Sequence, residues 1–177
     1  VSAMQHRGPD SSGIYQGDNV VLGHARLSII DLDAKANQPF TSLDGRYTIV
    51  FNGEIYNYQS LRSQLPEYDF VTNSDTEVLL AALIKWGMPA LQKANGMFAF
   101  AFYDRAEQKL WLARDRMGIK PLYVHINQST ISFASEIRSL LKSCLVPRKL
   151  NRSVLEEYLQ YQCVHDPETL IEIVHMV

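Results

Sequence analysis

Residues 97–103 read Met-Phe-Ala-Phe-Ala-Phe-Tyr, and this run constrains the fold more than any other stretch. In a strand, successive side chains point to opposite faces. Phe98, Phe100 and Phe102 therefore build one large apolar face, and Ala99 and Ala101 one small face. Neither face is polar, so the strand must be covered on both sides. Asp104 to Gln108 is a polar connection, and Lys109 to Ala113 returns as a partner strand. A second apolar run, Tyr47 to Phe51, drives into Asn52-Gly53, which reads as a tight turn. A short helix follows, with Asn57 as its cap, Leu61 and Leu65 on one face, and Pro66 beyond.

The remaining segments complete an antiparallel pattern. Ile14-Tyr15 and Val20-Leu22 form a hairpin around Gly17-Asp18-Asn19, and the strand from Val21 runs on to Ile30. Tyr68 to Thr72 reads as a short strand. Ser74-Asp75-Thr76-Glu77 before an apolar run is a capping box, so a helix starts there and ends at Trp86-Gly87. Pro89 to Ala94 is a second short helix. Tyr123 to Ile126 and Thr130 to Ala134 pair about Asn127-Gln128. A helix opens at Ser135-Glu136, and Asn151 caps a last amphipathic helix, Val154 to Leu159. Residues 162–177 show no partner in the sequence. The tally is about eight strands, mostly joined by hairpins, and about four helices. Regular crossovers are missing, which excludes a parallel doubly wound sheet. The expected class is α+β, with two antiparallel sheets stacked face to face and flanked by helices.

Composition narrows the function. A net charge of -2 supplies no basic stripe for nucleic acid. No apolar run reaches membrane-spanning length. Cys144 and Cys163 read as free thiols, which places the chain in a reducing compartment, the cytoplasm. The five His residues are scattered, and no metal-ligand spacing appears.

Each candidate site residue carries two readings. Asn52-Gly53 is either a plain bend or a pair of donors, one side-chain amide and one unhindered N–H, for a developing oxyanion. Arg26, inside an apolar strand, either pairs with Asp31 or Asp33 or forms a bidentate fork for a ligand carboxylate. Asp75 either complements the dipole of its helix or binds a ligand. His6-Arg7-Gly8-Pro9-Asp10 is either a surface turn or a rigid loop presenting His6, Arg7 and Asp10. Residues 114–123 hold three cations and one acid, an ordered loop with a fixed charge network.

Six ordered motifs carry a resemblance: His6-Arg7-Gly8-Pro9-Asp10-Ser11-Ser12-Gly13, Arg26-Leu27-Ser28-Ile29-Ile30-Asp31, Phe51-Asn52-Gly53-Glu54-Ile55-Tyr56-Asn57, Ser74-Asp75-Thr76-Glu77, Arg114 to Tyr123, and Phe133-Ala134-Ser135-Glu136. In this order they resemble the glutamine-hydrolysing domain of asparagine synthetases, class II glutamine amidotransferases. The resemblance implies an N-terminal-nucleophile (Ntn) hydrolase fold, a four-layer αββα sandwich. It implies that an N-terminal cysteine attacks the glutamine side-chain amide, with its own α-amine as base. Ammonia leaves, and water resolves the glutamyl thioester. By resemblance, Asn52 and Gly53 form the oxyanion hole. Arg26 clamps the α-carboxylate of glutamine, and Asp75 receives its α-ammonium, with Glu54 assisting and the Ile30 backbone nearby.

The cysteine of that pattern is not in this sequence, so the chain is expected to be a fragment without glutaminase turnover of its own. Residues 1–161 would be the glutaminase domain, and residues 162–177 the start of a connection to a synthetase domain. The glutaminase domain is expected to need no cofactor; ATP and magnesium belong to the synthetase domain, which receives the ammonia. The resemblance leaves room for a homodimer. Two other functions stay open: an amidotransferase serving another acceptor, such as a sugar or small metabolite, and a catalytically silent glutamine-binding domain.

Overall fold

The computed structural model describes residues 1–177, which divide into two compact units, residues 1–120 and 121–177. In the first unit a 3-10 turn (Ser2–Arg7) precedes a hairpin of β1 (Ser11–Gln16) and β2 (Val21–Arg26). β3 (Phe40–Thr41) and β4 (Tyr47–Ile55) follow, then α1 (Tyr58–Ser63), α2 (Asp75–Trp86) and α3 (Ala90–Lys93). β5 (Gly96–Asp104) and β6 (Lys109–Arg114) complete an antiparallel sheet of order β3-β4-β5-β6.

The two faces of β5 behave as their side chains dictate. Phe98, Phe100 and Phe102 join Ile49, Phe51 and Ile55 of β4 in the core under α2, which contributes Val78 to Leu83. The small face of Ala99 and Ala101 leaves room for the β1–β2 hairpin. There Tyr15 meets Tyr103 at 6.3 Å between ring centroids, and Tyr103 Oη donates to Asn19. This unit is thus layered helix, sheet, sheet.

Four local expectations are corrected. Asn52-Gly53 is not a turn, because β4 runs through it to Ile55 with β5 paired along its whole length. The glycine answers to crowding there. A Cβ at Gly53 would lie 2.7 Å from Phe98 Cα and overlap the Met97 carbonyl. Tyr68–Thr72 forms no strand, since the N–H groups of Val71 and Thr72 donate to the Glu77 carboxylate at 2.9 and 2.7 Å. β2 stops at Arg26 and does not reach Ile30, because Asp10 captures the Ser28 N–H at 2.8 Å and bends the chain away. Asn57 does not cap α1; its amide bonds Lys93 O and Asn95 N. The α2 start is as expected, with Ser74 Oγ accepting from Glu77 N.

In the second unit β7 (Tyr123–Ile126) pairs with β8 (Ile131–Ala134) on one edge and with β9 (His175–Met176) on the other. The segment 162–177 therefore does have a partner. Val174 is fully buried with Leu140 and Val146. α4 (Ile137–Lys142) flanks this core; α5 (Leu155–Tyr161) buries none of its residues, and Asn151 Oδ1 accepts from Ser153 N ahead of it. No helix is long and apolar enough to cross a membrane. Both cysteines are free and exposed.

Candidate active site

The site grows from the far half of β4. Alternation along an antiparallel strand sends the N–H and C=O of one residue to one neighbour and those of the next to the other. Phe51 N–H turns to the β3 edge, where Gln38 Oε1 accepts it at 2.6 Å. Ile55 N–H turns the same way and donates to Asp75 Oδ2 at 2.9 Å. Gly53 lies between them in the alternation, so its N–H faces the same edge, which β3 no longer covers. Beside it, Asn52 Nδ2 is buried and has no hydrogen-bond partner. A buried donor left unpaired costs about 1–3 kcal/mol, so a ligand atom that accepts from it recovers that loss.

Asp75 opens α2 and is 5% exposed. Burial pushes its carboxyl above the usual range, and the neighbouring Glu54 charge adds to this. Bonds from the N–H groups of Ile55, Thr76 and Asp75 itself pull the other way and do not offset them. The site thus holds a buried carboxylate short of positive charge.

Arg26, at the end of β2, is the opposite case. It is 7% exposed. Its guanidinium donates to Asn37 Oδ1 at 2.7 Å, to Asp33 O at 3.2 Å and to Asp31 O. Asp31 and Asp33 therefore meet it through carbonyls and not through carboxylates. A buried cation held only by neutral acceptors favours an anionic ligand.

Hydrogen bonds tie these groups together. Asp31 carries the Arg26 bond on its carbonyl, while its Oδ2 accepts from Asn73 N at 2.8 Å, just before Ser74-Asp75. Those N–H bonds, from Asp33 first and then Asn73, hold the Asp31 carboxyl below its usual range. Ile30 sits half-buried at the bend of this loop. Asp75 in turn holds Ile55, two residues past Gly53. Asn52, Gly53, Glu54, Asp75, Arg26 and Ile30 thus belong to one bonded neighbourhood.

The first motif serves as a scaffold for it. Asp10 anchors Ser28, and Ser11 Oγ shares Asn37 Oδ1 with Arg26. The loop after β6 is a scaffold too. Its acid, Asp115, is organised by backbone N–H groups: Phe98, Met117, Ile119 and Lys120 all donate to it at 3.0–3.1 Å.

Two neighbours were not singled out from the sequence. His24 Nε2 meets Phe51 O at 3.1 Å, and burial lowers its pKa to about 4, so the ring is neutral and donates there. Gln38 lies in a segment that reads as loop.

The whole chain, residues 1–177, matches the family described as "Glutamine amidotransferase domain". Asparagine synthetase [glutamine-hydrolyzing] 1 of Bacillus subtilis is 43% identical over 167 residues, 93% of this chain and 26% of the relative. Asparagine synthetase B of Escherichia coli is 44% identical over 143 residues, 80% of this chain and 26% of the relative. Amidase chry2 of Gibberella zeae is 43% identical over 157 residues, covering 87% and 23%. The chain therefore spans about a quarter of the length of these relatives. Among solved structures, glutamine phosphoribosylpyrophosphate amidotransferase from B. subtilis superposes with a TM-score of 0.57 and 26% identity, over 68% of this chain and 28% of that one. The fold is the α+β sandwich of the Ntn hydrolases. On these grounds the chain belongs to the glutamine amidotransferase domain family.

Proposed function

We propose that this chain is the glutaminase portion of an asparagine synthetase, releasing ammonia from glutamine for transfer to aspartate. The observation that carries the reading is the unpartnered Asn52 Nδ2 beside a Gly53 N–H at the bare edge of β4. Glutamine offers a zwitterion at one end and an amide at the other. Arg26 takes the carboxylate as a guanidinium fork. Asp75 takes the ammonium and is relieved of its missing counter-charge. The amide carbonyl then lies against Asn52 and Gly53, whose donors strengthen as that oxygen becomes an oxyanion. Glu54 adds negative charge on the ammonium side. Attack requires a cysteine thiolate, supplied in this reading by an N-terminal residue of the full-length protein. Ammonia passes to a synthetase portion in the cytoplasm, and ATP and magnesium are requirements of that portion.

A second reading is the same amidotransferase domain serving another acceptor, such as a sugar or small metabolite; the G. zeae relative carries the name of an amidase and not of an asparagine synthetase. One experiment separates the two. The full-length protein is given glutamine, with and without aspartate and ATP, and glutamate and asparagine are measured. Both products appearing together supports the synthetase reading. Glutamate without asparagine moves the acceptor elsewhere, and no glutamate ends the glutaminase reading.

A further inference from the structure

β3 pairs with β4 only at Ile49 and Thr48, so beyond that point the β4 edge lacks a strand. Gln38 takes the place of one. Its Oε1 accepts from Phe51 N at 2.6 Å, and its Nε2 donates to Phe51 O at 3.1 Å, the two bonds that a ladder partner would make. The second Nε2 hydrogen reaches Thr76 Oγ1 at 3.3 Å. The side chain is buried, and its backbone is held as well, because a Cβ at Gly13 would overlap the Gln38 carbonyl.

Phe51 precedes Asn52, and Thr76 follows Asp75. One amide therefore spans the two elements that carry the donors and the carboxylate of the site. We propose that Gln38 is a positioning residue for glutamine hydrolysis: it fixes β4 against α2 so that Asn52, Gly53 and Asp75 face one substrate. This rests on the glutaminase reading given above. Gln38 touches no substrate and acts through the backbone of Phe51. Without it the buried Phe51 N–H loses its partner while Phe51 O keeps only His24, and β4 must shift to satisfy the N–H. A displacement near 1 Å at reacting groups costs on the order of 100-fold in rate.

The test uses the full-length protein with Gln38→Met and Gln38→Glu. Gln38→Met removes all three bonds. Its glutaminase kcat is expected to fall about tenfold to a hundredfold, with KM for glutamine within about threefold of the parent. In Gln38→Glu the introduced carboxyl copies the amide only when protonated, accepting with one oxygen and donating with the other. The ratio of variant to parent kcat is therefore expected to rise as pH falls. The titratable side chains of this cluster, His24 on β2 and Asp75 on α2, are common to both proteins, so the ratio isolates position 38. Thermal unfolding reports whether each variant is folded; if Gln38→Glu is not, the kcat-against-KM split of Gln38→Met decides. Unchanged kcat in Gln38→Met, or a Gln38→Glu ratio that is flat with pH, overturns the positioning role. A parent without glutaminase activity overturns the reading of the site itself.

Discussion

Two buried carboxylates in the first unit have opposite characters. Asp75 is 5% exposed and Asp115 is 7% exposed. Burial raises the pKa of both as its largest effect, yet Asp115 ends below its ordinary value and Asp75 above it. The difference lies in depth and in donors: Asp75 is surrounded by far more protein than Asp115. Asp115 receives N–H groups from Ile119, Lys120, Phe98 and Met117. Asp75 receives the N–H groups of Ile55, Thr76 and its own residue, which do not offset its deeper burial, and it has Glu54 beside it. A carboxylate with all its acceptor capacity filled by backbone is part of the frame. One packed more deeply, with that compensation incomplete, is short of a partner, and in the proposed function that partner is the glutamine ammonium.

The comparison is broken most directly by removing each charge in turn. Asp115→Asn leaves only one oxygen for four N–H donors and turns an NH₂ toward the others. A loss of about 3 kcal/mol is expected, since bonds to a charged acceptor are worth roughly 1.5–3 kcal/mol each. In a chain of this size that lowers the unfolding midpoint by about 6–12 °C. Asp75→Asn keeps an acceptor for Ile55 N–H and removes a poorly solvated charge, so its midpoint at neutral pH should hold or rise. The signs follow from linkage. Asp115, with a lowered pKa, contributes stability above its unfolded pKa and loses it as pH falls. Asp75, with a raised pKa, makes the opposite contribution. Equal destabilisation by the two substitutions, measured by calorimetry at pH 7, would show that Asp75 is also frame.

Asn52 extends the contrast from charges to amides. Its Nδ2 is unpaired in the structure, so Asn52→Ala discards nothing that holds the fold through that atom. The full-length protein should unfold at nearly the same temperature while glutaminase kcat falls by about 10²–10³ and KM changes little, the signature of a lost oxyanion donor. Steady-state kinetics beside thermal unfolding checks both halves. A stability loss with kcat retained would assign Asn52 to the frame and remove the carrying observation.

The same contrast explains what could be read in the sequence. The Phe/Ala alternation of residues 97–103 announced a strand with two unequal covered faces, because period-2 patterning is a local property. The start of α2 was equally legible from Ser74 to Glu77. Asn52-Gly53 misled as a turn, since that dipeptide favours turns. What placed it in a strand is the pairing with β5, more than forty residues on, where Gly96 and Gly53 permit close approach of the two backbones. Tyr68–Thr72 failed for a similar reason, because Glu77 took the N–H groups that a neighbouring strand would have used. Gln38 was illegible, as nothing local indicates that its amide stands in for a strand. The candidate ligand groups were named from ordered motifs, but their incompleteness could be seen only once partners were assigned.

The finest consequence of the contrast concerns pH. In the proposed function glutamine's ammonium binds the ionised form of Asp75, and burial raises the pKa of that carboxyl. Below that raised value a proton must leave before the ammonium can pair, so glutamine affinity should fall as pH drops through it. The arriving ammonium lowers the pKa again, so binding near that pH releases a proton. Asp75→Asn should weaken glutamine binding by about 2 kcal/mol, the worth of one charged hydrogen bond, and should leave the remaining affinity less sensitive to pH than the parent's, with Glu54 the carboxylate that stays on the ammonium side. Isothermal titration of the full-length protein with its nucleophilic cysteine replaced, so that glutamine is bound and not hydrolysed, in two buffers of different ionisation enthalpy reads affinity and proton release together. Arg26 and the glutamine carboxylate are common to both proteins, so the difference between parent and variant belongs to Asp75. Parent affinity that is flat with pH, or Asp75→Asn binding within twofold of the parent, would mean that the missing partner of Asp75 is not the substrate.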